Sequence, residues 1–304
     1  MAILPYVAVL MGGTSSEREV SLNTGTACAD GLEEAGYRVA RVDVGDDIAE
    51  KLIQIKPNRA FNALHGPVGE DGVIQGLLEL LHIPYTHSGV LASSLAMHKV
   101  NAKHVAAANG IPVAEHVLAL PEEISASHVM APPYVVKPIA EGSSFGITIV
   151  PEGADAPQLD PGVARYGERL MVERFVPGRE LTCAVLGDEA LGITEIITQG
   201  QDFYDYNAKY ADGGSRHVCP AELPQQIEQQ IMEQALAAHR AMGCKGATRS
   251  DFRYDPEKDE LIWLEVNTQP GMTPTSLLPE IAQMRGISFP ELVSRLIEDA
   301  SLNR

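Results

Sequence analysis

An α/β fold that becomes α+β in its C-terminal half is predicted by three features of this 304-residue sequence. The first third alternates apolar, strand-like runs with helical patterns, the order of a doubly wound parallel sheet. From about Val113 to Leu186 the runs shorten and become hairpin-like. Near the C-terminus two strand-like runs flank Pro256-Glu257-Lys258-Asp259, a turn sequence that folds them into a hairpin. The length points to two or three domains.

Tyr6 to Leu10 is a continuous apolar run ending in Gly12-Gly13, which suits a strand buried on both faces and followed by a tight turn. Ser16, with Glu19 after it, fits a capping box that opens a helix toward Ala35. A strand over Arg38 to Val44, a helix over Ile48 to Lys56 and a strand over Arg59 to Leu64 follow. Glu17 and His65 then fall beyond the carboxyl ends of strands, where ligands bind in such sheets. Taken singly, Glu17 also suits a helix-dipole partner, and His65 a hydrogen-bonded structural histidine. Val90 to Ala108 reads as helical, carries Lys99 and Lys103, and ends at Gly110-Ile111-Pro112. Leu223 to Met242 is amphipathic and helical, with His239 structural, and the last helix runs from Pro290 to Ala300.

Composition excludes several classes. The formal charge of −18 argues against an electrostatic nucleic-acid binder, which needs cations for phosphates. No apolar run reaches the ~18 residues of a membrane span. Four cysteines without a CxxC pair argue against a zinc site or a disulfide framework and for a reducing, cytoplasmic location.

The chemistry concentrates in four stretches. Glu265 and Asn267, two apart on LIWLEVN, share a strand face, and the hairpin brings Asp251 beside Glu265. Two carboxylates and an amide oxygen suit Mg²⁺, which fills its other sites with water and substrate phosphates; ordinary surface acids are the plainer reading. In PYVVKPIAEGSSFGITIV a strand presents Lys137 and Gly142-Ser143-Ser144-Phe145-Gly146 forms a loop able to close over phosphates, although it is not a Walker loop. In Leu170 to Leu186, Glu173 and Glu180 flank a Pro177-Gly178 turn, where an edge strand could read adenine and a carboxylate could hold ribose hydroxyls. Gln199 to Cys219 holds Lys209 and Tyr210 in a long aromatic-rich loop, the character of a lid.

In this order the motifs GGTSSEREVSL, ALHGPVGEDGVIQGLLE, VKP with EGSSFG, YDYNAKY, and RSDFRYD through EVNTQPGMTPTSL resemble the ATP-grasp D-alanine:D-alanine ligases over essentially the full length. The resemblance implies an N-terminal substrate-binding domain over 1–88, a central domain over 89–186 and a C-terminal domain over 187–304, the last two forming the ATP-grasp fold of two α+β domains. By this resemblance Lys99 and Lys137 bind phosphates, Ser143 and Ser144 belong to the closing loop, Glu173, Arg174 and Val176 lie on the strand facing adenine, and Glu180 holds ribose. Asp251, Glu265 and Asn267 match the Mg²⁺ ligands, usually for two ions, with Mn²⁺ as a substitute. Glu17 and His65 belong to the first D-alanine, Arg249 and Gly271 to the oxyanion, and Ser276 and Leu277 to the second D-alanine. Lys209 approaches the γ-phosphate, and Tyr210 joins Ser143 and Glu17 in a hydrogen-bond chain.

The implied activity is ATP-dependent formation of D-alanyl-D-alanine for peptidoglycan precursors, through an acylphosphate, by a homodimeric cytoplasmic enzyme. D-alanine:D-serine and D-alanine:D-lactate ligases are the alternatives; Tyr210 favours an amine nucleophile, since depsipeptide-forming relatives replace it. A nucleotide-binding regulator that has lost catalysis is the alternative of another class, and the retained Asp251, Glu265, Asn267, Lys209 and Arg249 oppose it. The chain departs from the pattern at His98, where the family commonly has an acid, and at Asn207, where it has glutamate.

Overall fold

In the computed structural model, which describes residues 4–142, 146–160, 162–163, 167–198 and 215–304, the first apolar run is strand β1 (Tyr6–Gly12). It pairs in parallel with β2 (Arg38–Val44) on one side and β3 (Arg59–Asn62) on the other, in the order β2-β1-β3. Helices α1 (Arg18–Glu34), α2 (Ile48–Ile55) and α3 (Val73–Leu80) complete the unit. Successive β1 residues alternate between two cores: Val7 and Val9 pack with Cys28, Leu32 and Phe61, while Ala8 and Leu10 pack with Leu52, Leu78 and Tyr85. A strand covered on both faces must be apolar at every position, which is why this run shows no alternation. Because the chain leaves β1 toward β2 but leaves β3 toward the opposite edge, where Tyr85 bridges Ala60 in parallel, a crevice opens beyond the ends of β1 and β3. Both Glu17 and His65 sit there.

Two expectations for the helices are corrected. Ser16 does not open a capping box: Glu17 is the N-cap of α1 and makes no side-chain cap bond, while Ser15 Oγ accepts from Glu17 N at 3.2 Å. The stretch Val90 to Ala108 is two helices, α4 (Val90–Met97) and α5 (Lys99–Ala108), broken at His98, whose ψ of 92° is extended. His98 Nδ1 accepts from Asn101 N at 3.3 Å and so caps α5. An acid at that position would do the same, which accounts for the tolerance of histidine there.

Strands β4 (His116–Ala119), β5 (Tyr134–Lys137), β6 (Thr148–Val150) and β7 (Leu170–Arg174) form an antiparallel sheet ordered β4-β7-β5-β6, with α6 (Pro121–Ala126) against its core. Thus β7 lies between two strands and is not an edge strand. The Pro177-Gly178 turn does not close a hairpin either. It carries the chain from this sheet into a second one, where β8 (Arg179–Leu186) pairs with β9 (Glu189–Thr198) and β11 (Ala247–Asp255). Gly178 has φ +92° and a Cβ there would meet Tyr254 O at 2.3 Å, so this crossing requires glycine. The full second sheet is β10-β9-β8-β11-β12, completed by β10 (Ser215–Val218) and β12 (Glu260–Asn267). Membership of β8 in it puts the change of sheet at Pro177-Gly178.

One face of the five-stranded sheet presents Leu181, Cys183, Phe252 and Trp263 to α7 (Gln225–Ala241) through Ile227, Ile231, Ala235 and Ala238. Helices α8 (Leu277–Met284) and α9 (Phe289–Asp299) join the other face to the N-terminal sheet through Leu278, Ile281, Val293 and Leu296. Between β11 and β12 the register shifts: Asp251 pairs with Glu265 but Phe252 pairs with Trp263, which leaves Leu264 as an extra residue. This bulge turns Trp263 into the core and Glu265 to the opposite face, although the two are only two positions apart.

Candidate active site

The polar face of the five-stranded sheet follows from its register. Arg249 is paired with Asn267 and Asp251 with Glu265 on one side, and Asp251 is paired with Thr182 and Arg253 with Glu180 on the other. Asp251 accepts two hydrogen bonds from Arg249, Nε to Oδ1 and Nη2 to Oδ2, both 3.0 Å, and one from Thr182 Oγ1 at 2.6 Å. Glu265 stands 3.4 Å from Lys99 Nζ, which also donates to Glu141 O at 2.6 Å. Asn267 Oδ1 accepts from Gln269 N at 2.9 Å.

Among the described residues no three His, Cys, Asp or Glu side chains converge as a metal site. The set here is two carboxylates and an amide oxygen, which matches the hard-oxygen preference of Mg²⁺ and its habit of taking only one or two carboxylates from protein. Each carboxylate also holds a cationic side chain, so the pair is already a place where positive charge is stabilised.

Above this face, a cleft of about 730 Å³ separates the two antiparallel sheets, lined by Ile149, Arg174, Phe175, Glu180, Ile196 and Arg253 among others. Arg174 is clamped by Glu260 at 2.7 and 3.1 Å, Glu180 accepts from Arg253 Nη1 at 3.2 Å, and the carbonyl of Val176 accepts from Arg253 Nε at 2.9 Å. Glu173 is buried, with Lys137 Nζ 2.5 Å from Oε2 and Lys103 Nζ 2.5 Å from Oε1. Burial alone would push the Glu173 carboxyl up; Lys137 and Lys103 outweigh it and hold it below its ordinary value.

In the N-terminal crevice Glu17 is 6% exposed. A methyl group at Gly66 would lie 2.8 Å from Glu17 Oε2 and one at Gly142 3.0 Å from it, so the start of the serine loop touches the Glu17 carboxylate. His65 Nε2 lies 3.0 Å from Thr24 Oγ1, and Nδ1 lies 3.3 Å from Glu70 Oε1, which fixes the ring. After β12 the chain returns to this crevice. Asn62 Nδ2 donates to Gln269 Oε1 at 2.5 Å, and Gln269 Nε2 donates to Leu64 O. Gly271 then packs on Ser276, whose Oγ accepts from Thr273 N at 3.0 Å, and Leu277 opens α8.

Two family profiles match, described as D-ala D-ala ligase N-terminus over residues 46–88 and D-ala D-ala ligase C-terminus over residues 105–298. The chain belongs to the D-alanine–D-alanine ligase family. D-alanine–D-alanine ligases of Chelativorans sp. (strain BNC1) and Sinorhizobium medicae (strain WSM419) are 61% and 60% identical to it, over 98% of this chain and 99% of theirs. Among solved structures, the D-alanine–D-alanine ligase of Bacillus anthracis complexed with ATP has a TM-score of 0.79 at 27% identity, covering 97% of both chains. The VanG D-Ala:D-Ser ligase of Enterococcus faecalis has a TM-score of 0.77 at 28% identity, covering 97% of this chain and 99% of that one. The fold is the ATP-grasp arrangement of this ligase family: a parallel N-terminal sheet followed by two antiparallel sheets.

For a family member the structure brings most of the expected residues into two adjoining groups, Glu17 and His65 in the crevice and Lys99, Arg249, Asp251, Glu265 and Asn267 on the sheet. Lys137 and Glu173 form a buried group with Lys103. Gly271, Ser276 and Leu277 follow at the start of α8. Ser143, Ser144, Asn207, Lys209 and Tyr210 lie outside the described residues. Sequence reasoning passed over Thr182 and Arg253, and it named Lys103 on the helix without giving it a role. For Lys103 a signal was available, since it follows Lys99 by four positions on a helix and so shares its face.

Proposed function

We infer that this chain joins two D-alanines into D-alanyl-D-alanine with ATP converted to ADP and phosphate, the reaction of its family, and so serves peptidoglycan synthesis. One observation carries the geometric case: Lys99 bridges Glu265 and the Glu141 carbonyl, and the next residue, Gly142, touches Glu17. The residues for an amino acid and the residues for a triphosphate and its metal are therefore contiguous, as transfer of a phosphoryl group to a carboxylate demands.

The roles of single residues are part of this reading. Glu17 faces the ammonium of the first D-alanine, with His65 lining its site. Lys99 and Lys137 hold phosphates, Glu180 holds ribose, and the backbone from Glu173 through Arg174 to Val176 faces adenine. Ser143 and Ser144 close over the phosphates. The D-alanine carboxylate attacks the γ-phosphate while Lys137 and Lys209 stabilise charge on the transferring oxygens, and an acylphosphate forms. The second D-alanine's carboxylate rests at Ser276 and Leu277, where the α8 N-terminus favours an anion. Its amine attacks the acyl carbon, Arg249 and the backbone near Gly271 stabilise the oxyanion, and phosphate leaves. Tyr210 links with Ser143 and Glu17. Two Mg²⁺ ions, or Mn²⁺, bound by Asp251, Glu265 and Asn267 would supply charge neutralisation for the phosphates.

An acylphosphate hydrolyses readily, so the segment with Lys209 and Tyr210 has to exclude water. With ATP, Mg²⁺ and D-alanine, phosphate and dipeptide are expected in equal amounts. Lys209→Ala is expected to lower dipeptide formation by about a hundredfold or more, with phosphate release reduced less; equal loss of both removes the water-exclusion role. Running the same assay with D-serine and D-lactate as second substrates tests the alternatives, and ATP binding without turnover would support a regulator.

A homodimer and a cytoplasmic location complete the reading. Supporting the dimer, Val73, Leu80, Val90 and Leu91 on α3 and α4 are 59%, 80%, 40% and 74% exposed, and the N-terminal ends of these helices meet where Gly72 lies against Val90. Sedimentation of Leu80→Glu as a smaller species than the parent chain is the expected result; an unchanged mass displaces this face from the interface. No helix among the described residues is long and apolar enough to cross a membrane.

A further inference from the structure

Lys103 is fully buried on α5, with its ammonium 5.8 Å from the centre of the Trp263 ring. It stands 2.5 Å from Glu173 Oε1, while Lys137 donates to Glu173 Oε2 at the same distance. The Lys103 contact is an ion pair between a buried ammonium and a buried carboxylate. Lys103, Glu173 and Lys137 are 0%, 2% and 8% exposed. Two ammonium groups around one carboxylate leave one positive charge in excess at a buried position. The neighbouring Lys99–Glu265 pair, which is neutral in itself, does not cancel it.

A buried excess charge is unfavourable unless an opposite charge comes to it. Of the three groups Lys137 is the most exposed, so an arriving anion meets that ammonium. The count shows what Lys103 contributes. With Lys103 present, the carboxylate is divided between two cations and Lys137 keeps part of its charge. Without it, one carboxylate faces one ammonium, and the pair closes on itself as a neutral unit. Burial, with Lys137 beside it, pulls the Lys103 ammonium below its ordinary value, while Glu173 and the more distant Glu265 oppose that pull.

We propose that Lys103 is a positioning residue for the nucleotide: by occupying one oxygen of Glu173 it prevents neutralisation of Lys137 and leaves that ammonium able to hold a phosphate oxygen. The proposal rests on the reading of Lys137 as a phosphate ligand. The probes are ADP and adenosine, which share the base and ribose and differ in the phosphates, and binding is measured by calorimetry on the full chain.

Lys103→Met is expected to weaken ADP about tenfold or more, the scale of one charge-assisted hydrogen bond, to leave adenosine within about twofold, and to raise KM for ATP without raising KM for D-alanine. Lys103→Arg restores ADP binding. Equal weakening of ADP and adenosine would mean a general structural loss and overturns the proposal. Lys137→Met separates the two readings: if it leaves ADP affinity intact, the phosphate assignment of Lys137 fails and the proposal with it. If it weakens ADP and Lys103→Met does not, the inference about Lys103 alone fails. Should Lys103→Met not fold, the Lys103→Met/Glu173→Gln double variant decides, because it removes the buried carboxylate together with its partner. Lys137 then has nothing to neutralise it, and the ADP-to-adenosine affinity ratio stays near that of the parent chain. A ratio that falls about tenfold in the double variant overturns the proposal.

Discussion

Glu265→Ala lowers Mg²⁺-dependent phosphate release by about a hundredfold to a thousandfold, the usual loss when one preorganised charge stabiliser is removed from a phosphoryl-transfer site. The side chain is 35% exposed and faces away from the Trp263 core, so the melting temperature should stay within about 2 °C of the parent value. Saturating Mg²⁺ restores part of the activity if Asp251 and Asn267 still bind the ion, which a magnesium titration of the coupled assay reads directly. Ser276→Ala provides the contrast. Its hydroxyl is tied to Thr273 at the start of α8, outside the Asp251–Glu265 register, so it should raise KM for the second D-alanine and leave the magnesium dependence unchanged. Glu265→Ala with magnesium-dependent turnover within tenfold of the parent would remove the metal from this hairpin.

The second large effect is on acid stability. Burial, with Arg304 nearby, pushes the His87 ring down to about 3, and burial with Lys245 and Arg240 pushes His239 down to about 4. A base whose folded value lies below its unfolded value binds more protons when unfolded, so its stabilising effect is complete above the unfolded value near 6.5 and is lost as pH falls toward the folded value. Each ring then costs about 1.4 kcal/mol per pH unit, roughly 4 kcal/mol for both at pH 5, against a total stability of about 5–15 kcal/mol for a typical protein. The interval from 6.5 to 4.5 separates the rings from the carboxylates, because Glu173 and Glu33, also lowered in the fold, start from an ordinary value of 4.5 and act only below it. Urea midpoints measured at steps from pH 7 to pH 4.5 should fall steadily, and His87→Asn should roughly halve the slope. Asparagine also tolerates the positive φ of 65° at this position. A flat profile in the parent chain would show that the two rings accept protons without opening the fold.

Much of the fold was legible because its signals are local. A strand buried on both faces has to be apolar throughout, so Tyr6–Gly12 announced the parallel sheet, and the turn residues at Pro256 to Asp259 announced the β11–β12 hairpin that pairs Asp251 with Glu265. Glu17 and His65 could be placed in one crevice because the ends of parallel strands share one side of a sheet. The partners of β7 and β8 were not legible. Leu170 to Leu186 has the composition of a hairpin, yet the two strands enter different sheets, and nothing within the segment states which neighbour each will meet. The break at His98 was missed for a related reason: the small residues on either side favour helix, and the change of direction serves the packing of α5 on β12 and α7.

The sequence by itself determined the order of motifs, the two carboxylates and the amide, and their place on one hairpin, since these depend on residue identity and on the twofold period of a strand. Only the tertiary structure decided which way that hairpin faces. Strict alternation puts Trp263 and Glu265 on the same side. The extra residue at Leu264 breaks that parity, because a buried indole donating to Ser250 and a carboxylate beside Lys99 cannot share one surface of a sheet. The charge count around Glu173 is decided in the same way: Lys103, Lys137 and Glu173 come from three separate elements, and only their packing makes them one group.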